Sequence, residues 1–150
     1  MRNDYSIKLK LVSRAGGMMV EHPNGSSLWL SGCDDRSEID KFRGQPFKRA
    51  LIDEAQKYGP WLRELITESI DPGLADLQGT LALSGTPSPT PIGYFYEVTT
   101  GGVKGYAPAH HWTVLDNPYM PHARAYLEEQ RELNGWTEDS PTYRREWLGE

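Results

Sequence analysis

The sequence predicts an α/β fold, in which a mostly parallel sheet with flanking helices is joined by a β-hairpin near the N-terminus. An apolar strand pattern, a long helical segment and a second apolar strand follow one another over residues 47–87, as in a parallel βαβ unit. Asn24-Gly25, a strong hairpin turn signal, lies between two apolar segments. The 150 residues suffice for one domain with a core.

Composition and charge exclude several classes of protein. A hydrophobic content of 37% with 25% charged residues is typical of a globular chain rather than a disordered one. The single cysteine excludes an internal disulfide and a cysteine-based zinc site. No apolar run is long enough to span a bilayer, and the N-terminus has no signal-peptide core, so we expect a cytoplasmic protein with no membrane partner.

The first half of the chain contains the elements of the predicted βαβ unit. Leu62, Leu65 and Ile66 have helical spacing, followed by Ile70, and breaks are expected at Gly59-Pro60 and at residues 71–73. The predicted elements are a hairpin over 18–32, one or two helical turns over 37–44, a strand over 47–52, a helical segment over 54–79 and a strand from residue 80 that Gly85 and Pro87 end.

The second half begins with a Pro-rich loop over 87–93. Aromatic and β-branched residues predict a strand over 94–100, and a Gly-rich turn separates it from another predicted strand over 110–116. Pro121 and Gly135 mark the ends of a helix over 120–135. Ser140 and Pro141 begin a last helix over 139–150, in which Tyr143 and Trp147 share one face.

Polar residues follow both strands of the predicted βαβ unit. Asp53 and Glu54 end the first strand, and Ser84, Gly85 and Thr86 end the second. Because the carboxyl ends of neighbouring parallel strands meet at one edge of a sheet, where such folds bind ligands, these groups should lie together.

An apolar strand followed by Asp-Glu is typical of the second element of P-loop NTPases. Asp53 would hold a magnesium ion, Glu54 would orient the attacking water or act as its base, and Ser84 or Thr86 would sense the γ-phosphate. The same pair also suits an ordinary helix start, because acids are stabilised by the helix dipole there.

Five runs of sequence together resemble the ATPase portion of a phage terminase large subunit, in that family's order and over nearly the whole chain from about residue 18. They are NGSSLWLSG, DKFRGQPFKRALIDEAQ, GTLALSGTPSPTPIGYFYE, HHWTVLDNP and EDSPTYRREWLGE.

This resemblance implies a partial P-loop NTPase core that uses ATP and Mg²⁺. It implies that Asp53 and Glu54 are the Walker B acids, with Asp53 as the metal ligand, and that Ser84, Gly85 and Thr86 form the nucleotide-linked coupling motif. The implied partners are double-stranded DNA, the portal, the small terminase subunit and further copies in a ring. The implied work is packaging of DNA into capsids.

Arg43 has two interpretations. In similar terminases an arginine in this region is proposed to reach the ATP of a neighbouring subunit, where it would stabilise the transferring phosphoryl group as a catalytic residue. Alternatively, Arg43 is a surface residue paired with Asp40 or Glu38.

The sequence departs from the family in one important respect. The 150 residues contain no G-x-x-x-x-G-K-S/T loop, whose backbone N–H groups and lysine hold phosphates. We therefore expect residues 1–150 to be a single partial ATPase domain without the Walker A segment or the nuclease domain, and an ATPase only when completed.

Two other functions remain open. Instead of the packaging ATPase, the chain could be a non-catalytic module that binds terminase, portal or capsid partners. The other alternative is a stand-alone hydrolase that uses Asp53 and Glu54 with another metal. Adjacent His110 and His111 would point to opposite faces of a strand and do not suggest a metal site. Cys33 has no paired base in the sequence, so a structural thiol is expected.

Overall fold

The structure is a computed structural model that describes residues 10–14 and 17–150. The chain divides into two compact units, a first one that ends at Arg43 and a second one from Gly44 to Glu150. The prediction that residues 1–150 form a single domain stays a prediction.

The first unit contains a three-stranded antiparallel sheet, ordered β1-β2-β3. Its strands are β1 (Lys10–Arg14), β2 (Gly17–Glu21) and β3 (Ser27–Leu30). The β2–β3 turn contains Asn24 and Gly25, and the φ of Gly25 is +87°, which glycine adopts without strain. The hairpin predicted over 18–32 is therefore confirmed, and β1 is an additional strand.

A 3₁₀ helix, Arg36–Phe42, ends the first unit. The Asp35 side chain caps it by accepting a hydrogen bond of 2.7 Å from the backbone N–H of Ser37. The helical turns predicted over 37–44 are confirmed.

The second unit is built around two parallel strands, β4 (Arg49–Ile52) and β5 (Thr80–Leu83), in the register Arg49 to Thr80 and Ile52 to Leu83. The two predicted strands and their parallel direction are confirmed.

The connection between β4 and β5 is helical, as predicted, but the break expected at residues 71–73 is wrong, because this connection stays helical through Asp71. Its parts are a 3₁₀ helix (Ala55–Trp61), α1 (Leu62–Leu65), a π-helical turn (Ile66–Ile70) and α2 (Asp71–Ala75). The predicted break at Gly59-Pro60 is a kink, because Gly59 has a φ of +56° inside the 3₁₀ segment. The side chains that this helical connection buries form much of the core, namely Leu62, Leu65, Ile66, Ile70 and Leu74. Together with the antiparallel sheet, this arrangement confirms the α/β class.

The prediction of a strand over 94–100 is wrong, because this segment is a helix, α3 (Tyr94–Thr99). Tyr94 and Val98 lie four residues apart, and both side chains are buried. One helical face therefore enters the core, and this burial outweighs the local preference of aromatic and β-branched residues for strands.

The strand predicted over 110–116 is also wrong. The segment contains only a short 3₁₀ helix, Val114–Asp116. The Asp116 carboxylate accepts hydrogen bonds from the backbone N–H and the hydroxyl of Thr113, at 2.7 and 2.8 Å. This capping box bends the chain locally, so a strand cannot continue through it.

The chain continues with two helices, α4 (Ala123–Asn134) and α5 (Pro141–Leu148), which confirm the helices predicted over 120–135 and 139–150. Tyr143 of α5 is buried, with the Arg131 guanidinium 5.3 Å from its ring centroid. Trp147 lies 5.6 Å from Tyr126, between ring centroids. The predicted face of α5 therefore packs against α4. Within 10–14 and 17–150, no helix is long and apolar enough to cross a bilayer.

Candidate functional site

The carboxyl ends of β4 and β5 meet, as their polar residues predict. The Ser84 hydroxyl donates a hydrogen bond of 2.7 Å to Asp53 Oδ1. Two backbone hydrogen bonds hold Ser84 beside the end of β4. Ser84 N–H donates to Ile52 O at 3.0 Å, and Ala55 N–H donates to Ser84 O at 2.9 Å. The strand ends are thus tied together by side chains and by backbone.

Asp53 is exposed, yet two donors fix one of its oxygens. Besides the Ser84 hydroxyl, the backbone N–H of Glu54 donates to Oδ1 at 3.0 Å. The Ser84 hydroxyl, followed by the Glu54 N–H, lowers the pKa of Asp53 below its ordinary value. Asp53 is therefore an oriented carboxylate at neutral pH.

Glu54 adopts an unusual backbone conformation for a residue that is not glycine. Its φ of +50° and ψ of +40° lie in the left-handed region, which costs on the order of 1–3 kcal/mol. This conformation turns the chain from β4 directly into the following 3₁₀ helix. The exposed Glu54 carboxylate forms an ion pair with Lys57, and this contact raises the pKa of the lysine.

Ser84, Gly85 and Thr86 line an open cleft of about 970 Å³ within the second unit. Residues 81–83 of β5 form part of its wall, together with aromatic residues such as Tyr94 and Trp112. Asp53 and Glu54 do not line this cleft. Residues Asp53 and Glu54 form a turn, which we call the acidic turn. Ser84 therefore contacts the acidic turn through its hydroxyl and also lines the cleft.

Tyr106 is another residue of the cleft wall. Burial raises the pKa of Tyr106, and a hydrogen bond with Tyr94 raises it further. The two rings meet edge to face, with centroids 6.5 Å apart. This part of the wall is apolar and un-ionised at neutral pH, which suits packing contacts rather than proton transfer.

Arg43 lies in the first unit, whereas the acidic turn lies in the second. Its Nε is 3.0 Å from Asp40 Oδ1, so the surface pairing considered from sequence is present. The role of Arg43 at a neighbouring ATP stays a prediction.

The side chains at the strand ends offer oxygen atoms of the kind that Mg²⁺ binds. Asp53 and Ser84 offer oxygen ligands, which Mg²⁺ prefers, and Mg²⁺ commonly uses one or two carboxylates while water and phosphate complete its shell. In the part of the chain that the structure describes, no three His, Cys, Asp or Glu side chains cluster as a metal site.

Gln56 is a residue of the site that the sequence does not predict. This half-buried side chain lines the cleft beside the Ser84–Thr86 turn, and its amide oxygen contacts the position of Gly85 closely. A polar residue soon after an acidic pair is common in the first turn of any helix, so the sequence carries no distinctive signal for it.

The similarity of this chain to known proteins lies in its fold. No family model and no curated protein matches the chain. Two solved structures do: the ATPase domain of the Thermus phage P74-26 large terminase, and an arginine-to-alanine mutant of that domain. Each is 19% identical with a TM-score of 0.59, over 95% of this chain. The chain shares the fold of these ATPase domains.

The shared fold confirms the fold expected from the resemblance to terminases. The chain spans 63% of the length of the two solved structures. The roles of the individual site residues, the bound nucleotide and the partners are consequently matters for proposal.

Proposed function

We propose that this chain supplies the Walker B acids and the coupling motif of an ATP-hydrolysing motor that packages double-stranded DNA into phage capsids. The observation that carries the proposal is the bond between Ser84 Oγ and Asp53 Oδ1, at the adjoining ends of two parallel strands. This hydrogen bond joins the Asp53-Glu54 pair to the Ser84–Thr86 segment, at the edge where α/β sheets bind ligands.

In this proposal Asp53 is the carboxylate that holds Mg²⁺, and Glu54 orients the attacking water. The lowered pKa of Asp53 keeps it ionised, and the Ser84 hydroxyl holds its orientation. Bound magnesium would neutralise charge on the ATP phosphates. Glu54 must leave its ion pair with Lys57 before it can accept a proton from water.

The phosphate-holding G-x-x-x-x-G-K-S/T loop must come from another segment, since these 150 residues contain no match to it. The cleft supports this arrangement. Parallel sheets are normally covered on both faces and extended by further strands, whereas β5 is an edge strand whose residues 81–83 face the cleft. A strand that carries the loop would be accommodated beside β5.

The remaining parts of the proposal rest on the resemblance of the sequence to terminases, which the shared fold supports. The complete motor would be a ring of subunits docked on the portal in the host-cell cytoplasm, acting on double-stranded DNA with the small terminase subunit. Arg43 would act on the ATP of the neighbouring subunit, and Gly85 and Thr86 would respond to its γ-phosphate.

The decisive experiment measures Mg²⁺-dependent ATP hydrolysis after the chain is joined to a strand–loop–helix segment that carries the missing motif. Glu54→Gln should lower kcat by about 10²–10⁴-fold, because water is no longer oriented by a carboxylate. The matched control is Glu128→Gln, an exposed residue of α4. Equal turnover by Glu54→Gln and the unaltered protein would show that the assigned role is wrong.

The absence of the phosphate loop from these residues also favours a second function, a binding module without chemistry. That function predicts no ATP hydrolysis by the completed protein and retained binding to portal or small terminase subunit. Retained binding by the Asp53→Ala/Glu54→Ala double variant would support it further.

A further inference from the structure

Gln56 lies between the two polar turns of the site. It follows Glu54 by two residues, in the first turn of the 3₁₀ helix, and it lines the cleft with the residues of the Ser84–Thr86 turn. The backbone N–H of the preceding residue, Ala55, donates to Ser84 O at 2.9 Å. The Gln56 side chain thus begins at a point where the backbone already joins both turns.

The Gln56 side chain packs directly on Gly85. A Cβ atom built on Gly85 would collide with Gln56 Oε1 and would lie 3.2 Å from both Gln56 Cδ and the backbone nitrogen of Ala55. Only a residue without a side chain allows this approach. Glycine at position 85 therefore leaves room for Gln56 Oε1, and an added Cβ would move this flexible side-chain end aside.

This contact depends on shape rather than on hydrogen bonding. Gln56 Oε1 is buried and has no hydrogen-bond partner among the described residues. Other tethers between the turns, such as the bond from Ser84 Oγ to Asp53 Oδ1, are hydrogen bonds. The hydrogen bonds between the two segments end at Ser84. Gln56 adds a packing contact with the next residue, Gly85, where the loop that lines the cleft begins.

We propose that Gln56 is a positioning residue that braces the Ser84–Thr86 turn against the acidic turn at Asp53–Glu54, so that the two turns move as one unit. The proposal rests on the proposed function for its mechanistic meaning. If Asp53 and Glu54 respond to ATP and its hydrolysis, Gln56 transmits that response into the loop after β5.

The test measures hydrogen exchange of the backbone amides of Ala55 and Ser84 in the chain as it exists, because these two N–H groups bridge the turns. Gln56→Ala should raise both exchange rates about tenfold by easing local opening. The internal control is the Thr80 amide, which bonds to Lys48 O at the other end of β5 and should change by less than about twofold.

Three further variants separate bracing from general destabilisation. Gln130→Ala, on α4 and away from the cleft, should leave both rates unchanged. Gln56→Met, which has similar length and no amide, should restore slow exchange. Gly85→Ala should act like Gln56→Ala by displacing the amide, and the double variant should add no more than about twofold, since both changes remove one contact.

Unchanged rates at Ala55 and Ser84 in Gln56→Ala would overturn the proposal, and so would equal acceleration at Thr80. Rates that multiply in the double variant would also overturn it, because the two residues would then act independently.

A second readout uses the completed ATPase described above. Gln56→Ala should lower kcat about tenfold with KM for ATP unchanged, since positioning affects the reacting state more than ground-state binding. Unchanged kcat in an active enzyme would overturn the positioning role. If the unaltered completed protein does not hydrolyse ATP, the proposed function fails, while hydrogen exchange still decides whether Gln56 braces the turns.

Discussion

Residues 44–86 and residues 87–122 of the second unit are built on different principles. In the first region a strand, a helical connection and a parallel strand bury side chains such as Ile66, which has 0% of its surface exposed. In the second region, α3 and one short 3₁₀ helix are the only helices or strands. Ile92 and Trp112 are each 70% exposed there, and Tyr119 is 93% exposed.

The two regions contribute different parts of the candidate site. Asp53 and Ser84 sit at the ends of strands that are paired over their whole length, so packing and backbone bonds fix their geometry. The far wall of the cleft comes from α3, from loop residues on either side of it and from the end of α5, and it includes exposed apolar side chains such as Ile92 and Trp112. Asp53 and Ser84 therefore lie at the ends of paired strands, whereas the other wall of the cleft lies on segments without strand pairing.

The largest expected effect is on stability, and it compares one isoleucine from each region. Ile66→Ala should lower the free energy of unfolding by about 2–5 kcal/mol, because it removes buried apolar atoms and leaves a cavity. Ile92→Ala should change it by less than about 0.5 kcal/mol, because the side chain is already largely in water. Urea denaturation followed by circular dichroism measures both values.

Similar losses for the two variants would mean that residues 87–122 pack as firmly as the βαβ unit. The two regions would then not differ in packing. A small loss for Ile66→Ala would equally contradict it, since that side chain would not belong to a close-packed core.

A smaller effect is expected where the two regions are joined. Arg63 of α1 donates to Glu97 of α3 at 2.5 Å, and its guanidinium lies 4.4 Å from the ring centroid of Tyr94. The Arg63 and Glu97 side chains are roughly half exposed, so the ion pair should contribute under about 1 kcal/mol and the cation–π contact about 0.5–1 kcal/mol.

Arg63→Ala should therefore lower the free energy of unfolding by about 1 kcal/mol. A double-mutant cycle with Glu97→Ala isolates the ion pair, whose coupling should shrink in high salt. Arg124→Ala, an exposed residue of α4, is the matched control. A coupling of zero at low salt would show that the contact between Arg63 and Glu97 adds nothing to the attachment of α3.

The same contrast explains how much of the fold the sequence predicts. The two parallel strands are short apolar runs bounded by polar and glycine residues, and they pair in the predicted direction. Their burial is only partial, because Ile52 is buried whereas Leu51 is 69% exposed. In YFYEVTT, local preference favours a strand, yet Tyr94 and Val98 also have helical spacing, and the core selects that face. The Thr113-x-x-Asp116 spacing carried a capping-box signal that the strand prediction overlooked.

The candidate site is predictable only in part, for a physical reason. That Asp53 and Ser84 should meet follows from the direction of the strands. The ion pair between Glu54 and Lys57 and the packing of Gln56 on Gly85 depend on a left-handed backbone at Glu54, which local propensity does not favour. Such details arise from tertiary context and are visible only in three dimensions.

The smallest expected effect concerns the bond that joins the two strand ends, and it depends on pH. Ser84→Ala removes the hydroxyl that contributes most to the low pKa of Asp53, so the pKa should rise towards its ordinary value of 3.8. A carboxyl with a lowered pKa in the folded state stabilises that state above its unfolded pKa. This contribution is lost as the pH falls through the folded value.

The difference in unfolding free energy between the unaltered protein and Ser84→Ala should accordingly be constant above about pH 4 and should shrink below it. Carbon-13 NMR of the Asp53 carboxyl measures the pKa directly, and urea denaturation across the same pH range measures the linked stability. Ser88→Ala, a nearby exposed position, should change neither. An Asp53 pKa that is unaltered in Ser84→Ala would mean that the hydroxyl does not bond the carboxylate in solution, and the two strand ends would be joined by backbone alone.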